Sequence, residues 1–278
     1  MYSTTAIAKN SRLTGRLVGT HQQLDRAARK CLARRLHRGW YFPVTQEILH
    51  FEGIRGPDGL KSKSPDDDDP SHMFGDGDGA ELISQVVAHY HNLVQALKDR
   101  NQVRAAFEAA WLAHKTTDAL TPAHHVALAE AKEELMSNKE MFEFFGTPIK
   151  GMMHGRNLAE TARNNWLFWG AGGTMLRHIA YEYGVALIAA TMPKQAFVPK
   201  FQLNDFVPGL TPEQIIAEGL AVIQPREVYQ TFRKEGWVTD LAMETKNVLL
   251  PEVTRAITRM WYIAAAEAYQ EPKNARKK

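Results

Sequence analysis

Apolar residues recur along most of this chain at the three- and four-residue spacing of an α-helix. No stretch alternates between apolar and polar residues for long enough to indicate a sheet, and no unit repeats along the chain. The pattern predicts a mostly α fold, with residues 1–278 in one helical domain. The predicted helices cover residues 22–36, 80–97, 100–118, 123–145, 158–190, 211–223 and 247–269.

Two stretches interrupt the helical pattern. Residues 53–79 are rich in Gly, Pro, Ser and Asp, which predicts a solvated loop. Residues 193–208 are aromatic and punctuated by proline, which predicts a long surface connection. At the two ends, residues 1–15 and the basic segment 270–278 are expected to be flexible.

Composition and charge narrow the class of protein. The formal net charge of +3 is too small by itself to indicate nucleic-acid binding. The single cysteine, Cys31, excludes an internal disulfide. Residues 1–17 lack the apolar core of a secretory signal, and the longest apolar stretch, 184–192, is too short to span a bilayer. We therefore expect a cytoplasmic protein without a transmembrane segment.

The segment 114–124 carries the clearest candidate chemistry. It contains His114-x3-Asp118-x3-Pro122-x-His124. On a helix, His114 and Asp118 share a face, so an imidazole and a carboxylate can converge on one cation. Pro122 cannot continue that helix, so His124 arrives from a different direction. The segment therefore predicts a metal site.

Three further segments, taken together with this motif, resemble the motifs of a known enzyme superfamily. They are Val18-Gly-Thr-His21, Gly53-Ile-Arg-Gly-Pro-Asp58 and Ser71-His72-Met-Phe-Gly-Asp76. Together with segment 114–124, they resemble the zinc-dependent phospholipase C and S1/P1 nuclease superfamily, whose members are mostly helical and bind three zinc ions. The resemblance covers roughly residues 16–183 and implies a single helical domain of that type.

The resemblance also implies a role for each matching residue. His72, His114 and Asp118 would hold one zinc, and Asp118 would bridge to a second zinc bound by His21. Asp58 would lie over the bridging water as a general base or a metal contact. Mature members of the family begin with a zinc-binding Trp, and no Trp precedes His21 here. Two or three ions are therefore expected.

In the family, a later His-x3-acid pair completes the zinc site to which His124 would belong. His178 and Glu182 have this spacing, with an aromatic residue before the acid. His154 lies nearer to His124 in the sequence, but Leu158 stands where its acid would be. We favour His178 with Glu182 and keep His154 as the alternative. This choice makes residues 127–177 an insertion relative to the family.

The expected function is that of a metal-dependent phosphoester hydrolase, similar to phospholipase C, which acts on a small-molecule or lipid phosphoester. Zinc is the expected metal, although histidine and carboxylate ligands also suit iron and other divalent ions. A nuclease is less favoured, because the nucleases of this superfamily are secreted and usually disulfide-bonded. The alternatives are a divergent metalloenzyme acting on a non-phosphate substrate and a helical binding protein stapled by metal.

Aromatic residues close to Glu182 allow two interpretations. They belong to the core, as is usual for large aromatic side chains, or they line a substrate pocket. The residues concerned are Trp166, Phe168, Trp169 and Tyr181.

Overall fold

The computed structural model describes residues 19–52, 56–57, 79–125, 155–170, 173–207 and 209–269. This part of the chain is mostly α-helical and contains no β-strand, so the expected fold class is confirmed. Its buried apolar residues form one continuous core, as expected of a single helical domain. The ends predicted to be flexible, most of the loop 53–79 and most of the helix 123–145 lie outside the described residues.

Ten α-helices lie in the described part of the chain. A π-helical turn, Thr245–Leu249, joins the last two, and 3-10 turns cover Pro122–His125, Lys194–Phe197, Leu203–Phe206 and Gln224–Arg226. The α-helices are α1 Thr20–Ala33, α2 Thr45–His50, α3 Ala80–Lys98, α4 Gln102–Ala119, α5 Leu158–Trp169, α6 Thr174–Thr191, α7 Pro212–Ile223, α8 Val228–Glu235, α9 Thr239–Glu244 and α10 Leu250–Tyr269.

Helix α10 lies at the centre of the fold and packs against α1, α3, α4 and α7. Its Trp261 is fully buried and donates a hydrogen bond from Nε1 to the Ala109 carbonyl on α4, at 3.0 Å. Helix α4 is buried on nearly every side, and its many alanines let neighbouring helices approach closely. The Asn101 side chain accepts a hydrogen bond from the Arg104 amide and fixes the start of α4. Helix α4 is therefore held firmly along its length.

The predicted helix 158–190 is two helices, α5 and α6, and the prediction of one continuous helix was wrong. The break lies at Gly170 and Gly173, where the backbone leaves the helical conformation. A Cβ atom at Gly170 would lie 2.3 Å from the Trp166 carbonyl oxygen, and one at Gly173 would lie 2.5 Å from that of Phe168. Glycine, which has no Cβ atom, is therefore needed at both positions, because the backbone passes so close to the last carbonyl groups of α5.

The stretch 193–208 was expected to be a surface connection, but part of it is buried in the fold. Phe197 is 3 % exposed and Asp205 is 1 % exposed. Asp205 accepts a hydrogen bond from Arg255 Nε at 2.8 Å and lies 3.6 Å from Arg259 Nε, both on α10. This segment therefore contributes a buried charge to the interior of the fold.

The aromatic residues near Glu182 divide between the two interpretations. Phe168 and Tyr181 are buried, as expected of core residues. Trp166 and Trp169 are 68 % and 43 % exposed, so they do not belong to the core. No helix in the described part of the chain combines the length and the apolar character needed to cross a membrane.

We expect Gly184→Ala to destabilise the fold, because α6 touches a tryptophan at this position. A Cβ atom at Gly184 would lie 1.9 Å from Trp237 Nε1, and Trp237 is itself stacked on Tyr181. Displacing the indole should cost about 1–3 kcal/mol, which exceeds the alanine gain of about 0.5–1 kcal/mol in helix propensity. Denaturant unfolding of the variant and the parent protein measures the difference.

Gly219→Ala in α7 is the matched control. Its nearest neighbour would be a terminal methyl group of Leu120 at 2.8 Å, which can turn aside more easily than an indole ring. A loss at Gly219 equal to or larger than that at Gly184 would contradict the proposed role of Trp237.

Candidate metal centre

The last two turns of α4 and the 3-10 turn after them present the central motif. Residues 114–118 are all buried, although several of them are polar. His114 Nε2 lies 3.4 Å from Asp118 Oδ2, as the i,i+4 spacing predicts. The 3-10 turn begins at Pro122 and brings His124 Nδ1 to 3.5 Å from Asp118 Oδ1. The three side chains therefore converge at one end of α4.

His21, Glu52 and His114 form what we name the first group. Their candidate ligand atoms all lie within 4.8 Å of one another. His114 Nδ1 is 3.1 Å from Glu52 Oε1, and the His21 and His114 rings stack in parallel with their centres 4.0 Å apart. His21 lies in the first turn of α1, and Glu52 follows shortly after α2.

His124, His178 and Glu182 form the second group, and their candidate ligand atoms also lie within 4.8 Å of one another. Glu182 Oε1 is 3.0 Å from His124 Nε2 and 3.0 Å from His178 Nε2. Helix α6 places His178 and Glu182 on its buried face, while Tyr183 and Leu187 stand on its exposed face. The structure thus brings together His124, His178 and Glu182.

Asp118 lies between the two groups. Its Oδ2 is near His114 of the first group, and its Oδ1 is near His124 of the second. His21 Nε2 is farther away, 4.0 Å from Oδ1. His124 therefore directs Nδ1 towards Asp118, at 3.5 Å, and Nε2 towards Glu182, at 3.0 Å, so its ring lies between the two carboxyl groups.

Burial and the neighbouring side chains set the charge states of these groups. Burial lowers the pKa of His124 to about 4, although the Asp118 carboxylate opposes the shift. Burial alone would raise the pKa of Asp118, but His114 and His124 hold it below its usual value. Burial alone would also raise the pKa of Glu182, but this pKa lies well below its usual value, and hydrogen bonds from His124 and His178 contribute to lowering it. A neutral imidazole and ionised carboxylates are the forms that bind metal ions.

In both groups, the distances between the candidate ligand atoms are close to those expected around a divalent cation. Nitrogen and oxygen ligands around a tetrahedral zinc ion lie about 3.3 Å apart, since each is about 2.0–2.2 Å from the metal. The nearest nitrogen–oxygen separations here are 3.0 Å in the second group and 3.1 Å in the first. The two groups therefore have the donor types and spacing of candidate metal sites.

Several residues proposed from the sequence lie outside the described part of the chain. They are Asp58, His72 and His154. The general-base role of Asp58, the pairing of His72 with His114, and the alternative of His154 to His178 therefore remain predictions.

Two buried carboxyl groups were not foreseen from the sequence: that of Glu52, a member of the first group, and that of Asp25 on α1. Glu52 follows a short helix and has no partner at helical spacing, so no local pattern marks it. Asp25 is four residues after His21 on α1, a spacing that was available in the sequence. Burial, reinforced by the charge of Glu52, raises the pKa of Asp25 well above its usual value, while His114 partly opposes that shift.

Comparison with known proteins adds no relative to this description. No protein-family model, no curated protein and no solved structure matches the chain.

Proposed function

We propose that this chain is a metal-dependent hydrolase of phosphoesters that binds two or three divalent ions, chiefly zinc. The observation that carries the proposal is the pair of buried imidazole–carboxylate groups joined through Asp118. Burying so many ionisable side chains is costly unless opposite charges compensate for them, and a bound cation supplies that compensation. The single cysteine allows no closed site of several thiolates, so imidazole and carboxylate are the available donors.

Bound divalent ions would supply a nucleophilic hydroxide near neutral pH and would polarise the phosphoryl oxygens. The chain contributes the positioning. Glu182 lies between the Nε2 atoms of His124 and His178, and Asp118 lies 3.5 Å from the opposite nitrogen of His124. These side chains come from α4, from α6 and from the 3-10 turn Pro122–His125, which contacts both helices. The packing of these elements therefore determines the distances between the candidate ligand atoms.

The phosphoester class of substrate rests on the resemblance to the phospholipase C and S1/P1 nuclease superfamily. The resemblance assigns His21, His114, Asp118, His124, His178 and Glu182 to the metal cluster. Five of them lie in the two groups, and Asp118 lies between the groups. A small-molecule or lipid phosphoester is favoured over nucleic acid, because the nucleases of this superfamily are usually disulfide-bonded and the single cysteine of this chain allows no internal disulfide. Asp58 remains the proposed general base.

We expect the protein purified after zinc-replete expression to contain two or three divalent ions and to hydrolyse a phosphodiester or a phosphomonoester. Elemental analysis and a panel of both substrate types measure these properties. His178→Ala should lose about one ion, whereas His91→Ala, which removes an exposed histidine of α3, should lose none. Removing the metal with a chelator should lower the melting temperature by about 5–10 °C, since ions that bind only the folded state stabilise it.

Less than one ion per chain after zinc-replete expression would contradict the metal proposal. A fully metal-loaded protein that hydrolyses no phosphoester in the panel would contradict the substrate class alone. Equal metal content in His178→Ala and His91→Ala would remove His178 from the proposed ligand set.

A further inference from the structure

The large apolar side chains that remain exposed are concentrated on two consecutive helices. In the part of the chain that the structure describes, twelve such side chains are exposed, and seven of them lie on α5 and α6. Helix α5 buries only Asn164 and Phe168 and packs chiefly against α6, so it stands at the periphery of the fold. The four exposed residues that it carries are Leu158, Trp166, Leu167 and Trp169.

Helix α6 presents the other three in a regular stripe. Leu176, Tyr183 and Leu187 are exposed, and their spacing of seven and four residues keeps them on one side of the helix. His178 and Glu182 lie on the opposite, buried side of α6. The exposed stripe is therefore separate from the candidate metal centre.

The exposed sides of the two helices adjoin each other at the tight turn between them. The Gly173 amide donates a hydrogen bond to the Gly170 carbonyl at 2.7 Å, so α6 begins directly beside the end of α5. Trp169 is the last residue of α5, and Leu176 lies in the first turn of α6. We name the seven exposed apolar residues of α5 and α6 together the outer face.

The exposed charges around the outer face have one sign. Arg163 on α5 and Arg177 on α6 are both exposed. Of the two carboxylates on these helices, Glu182 is buried in the second group, and Glu160 is paired with Arg156 at 3.1 Å. The outer face therefore combines tryptophan, tyrosine and leucine side chains with an excess of positive charge.

We propose that the outer face binds the surface of an anionic lipid bilayer. Tryptophan and tyrosine side chains suit the boundary between lipid headgroups and acyl chains, and leucine side chains can enter the apolar layer beneath it. The arginines would lie close to negatively charged headgroups, which attract each basic residue near the surface. The backbone groups of a helix are hydrogen-bonded internally, so α5 and α6 can enter lipid without exposing unpaired amide groups.

The charges also favour a lipid surface over a second copy of the chain. A symmetric dimer formed through the outer face would bring Arg163 and Arg177 of both copies together, with no exposed carboxylate on α5 or α6 to neutralise them. An anionic bilayer supplies the opposite charge along the whole face. Lipid binding of this kind requires neither a bound metal ion nor hydrolysis.

The test measures binding of the full chain to vesicles of phosphatidylcholine alone and to vesicles that also contain phosphatidylserine. In cosedimentation, we expect binding to the anionic vesicles that added salt weakens, and much weaker binding to the neutral ones. Phosphatidylcholine brominated on its acyl chains should quench the tryptophan emission of the bound protein. Replacing both Trp166 and Trp169 with phenylalanine should remove most of that quenching, because the other tryptophans do not belong to the outer face.

Single variants separate the apolar contribution from the charged one. Trp166→Ala should weaken binding to anionic vesicles by about 10-fold or more, because a large apolar side chain is no longer buried. Arg177→Gln should weaken it by about 5-fold and leave the weak binding to neutral vesicles unchanged. Leu187→Ala should also weaken binding. Its matched control is Leu203→Ala, which should have no effect, because Leu203 is 99 % exposed but lies on a turn that packs against α10.

Failure of the parent protein to bind either type of vesicle would overturn the inference, and so would equal losses in Leu187→Ala and Leu203→Ala. Binding that depends on neither phosphatidylserine nor salt would contradict the role of the arginines and overturn the anionic specificity. A dimer that Trp166→Ala converts to a monomer, without vesicle binding, would identify a second copy as the occupant instead. A protein that binds anionic vesicles but no metal ion would support lipid binding and contradict only the proposed function.

Discussion

Replacing Asp118 with asparagine is expected to reduce phosphoester hydrolysis by about 100-fold or more and to weaken the binding of both ions. The reason is its position between the two groups, with one oxygen near His114 and the other near His124. Asparagine has the same shape but lacks the negative charge, and one of its two polar atoms is a donor rather than an acceptor. Neither imidazole would then be held as it is now.

His21→Ala provides the comparison, because His21 belongs to the first group alone. Its loss should weaken one ion and leave the ligands of the second group in place. The measurements are kcat/KM on the best phosphoester substrate and the metal content of each variant, with circular dichroism to verify the fold. Equal losses of metal and activity in the two variants would contradict the placement of Asp118 between the groups.

Asp205→Asn is expected to destabilise the fold by about 3–5 kcal/mol, although Asp205 lies away from the metal centre. Arg259 on α10 is 1 % exposed, and its Nε lies 3.6 Å from Asp205 Oδ1. Arg255 donates to the same oxygen from Nε at 2.8 Å. Removing the carboxylate charge leaves the buried guanidinium of Arg259 with only the half-exposed Glu218 as a counter-charge. Urea or guanidinium denaturation measures the loss in the free energy of unfolding.

Glu218→Gln tests whether the other counter-charge of Arg259 stabilises the fold as much as Asp205 does. Glu218 binds Arg259 Nη1 at 2.6 Å, but its side chain is 47 % exposed. Solvent screens that pair, so its loss should cost only about 0–1 kcal/mol. A cost for Asp205→Asn below that of Glu218→Gln would show that the buried charge is not what stabilises the segment against α10.

The parts of the centre that could be predicted from the sequence are those with helical spacing. His114 with Asp118, and His178 with Glu182, were identifiable because an i,i+4 pair must share a face of its helix. Pro122 marked the end of α4, and the 3-10 turn that carries His124 begins there. In each case a local rule fixes the relative position of two side chains.

Glu52 shows where such local rules end. Its partner His114 is 62 residues away in sequence, and only the packing of α2 against α4 brings the two together. Nothing in the residues around Glu52 encodes that contact. Asp205 is a similar case, since its role depends on Arg255 and Arg259, which are 50 and 54 residues later in the chain. Its segment was mistaken for a surface connection because proline and aromatic residues mark irregular backbone but not its depth.

The break between α5 and α6 has a different explanation. Gly170, Gly173 and the glycine between them were visible in the sequence, but α5 and α6 have matching apolar periodicity on either side. Periodicity measures which face is buried and does not detect a change in direction of the helix axis. A cluster of glycines in a long apolar segment therefore predicts a break in the helix, even where the apolar pattern continues on both sides.

The long sequence separations within the centre affect how the protein folds. Glu52 and His114 are 62 residues apart, and His124 and Glu182 are 58 apart. Bringing such distant segments together costs loop-closure entropy, which must be spent before the contacts form. In the unfolded chain, an ion can meet only a local histidine and its neighbouring acid. On the metal binding proposed above, complete capture of an ion is therefore expected late in folding. We then expect the supply of metal to change the unfolding rate more than the folding rate.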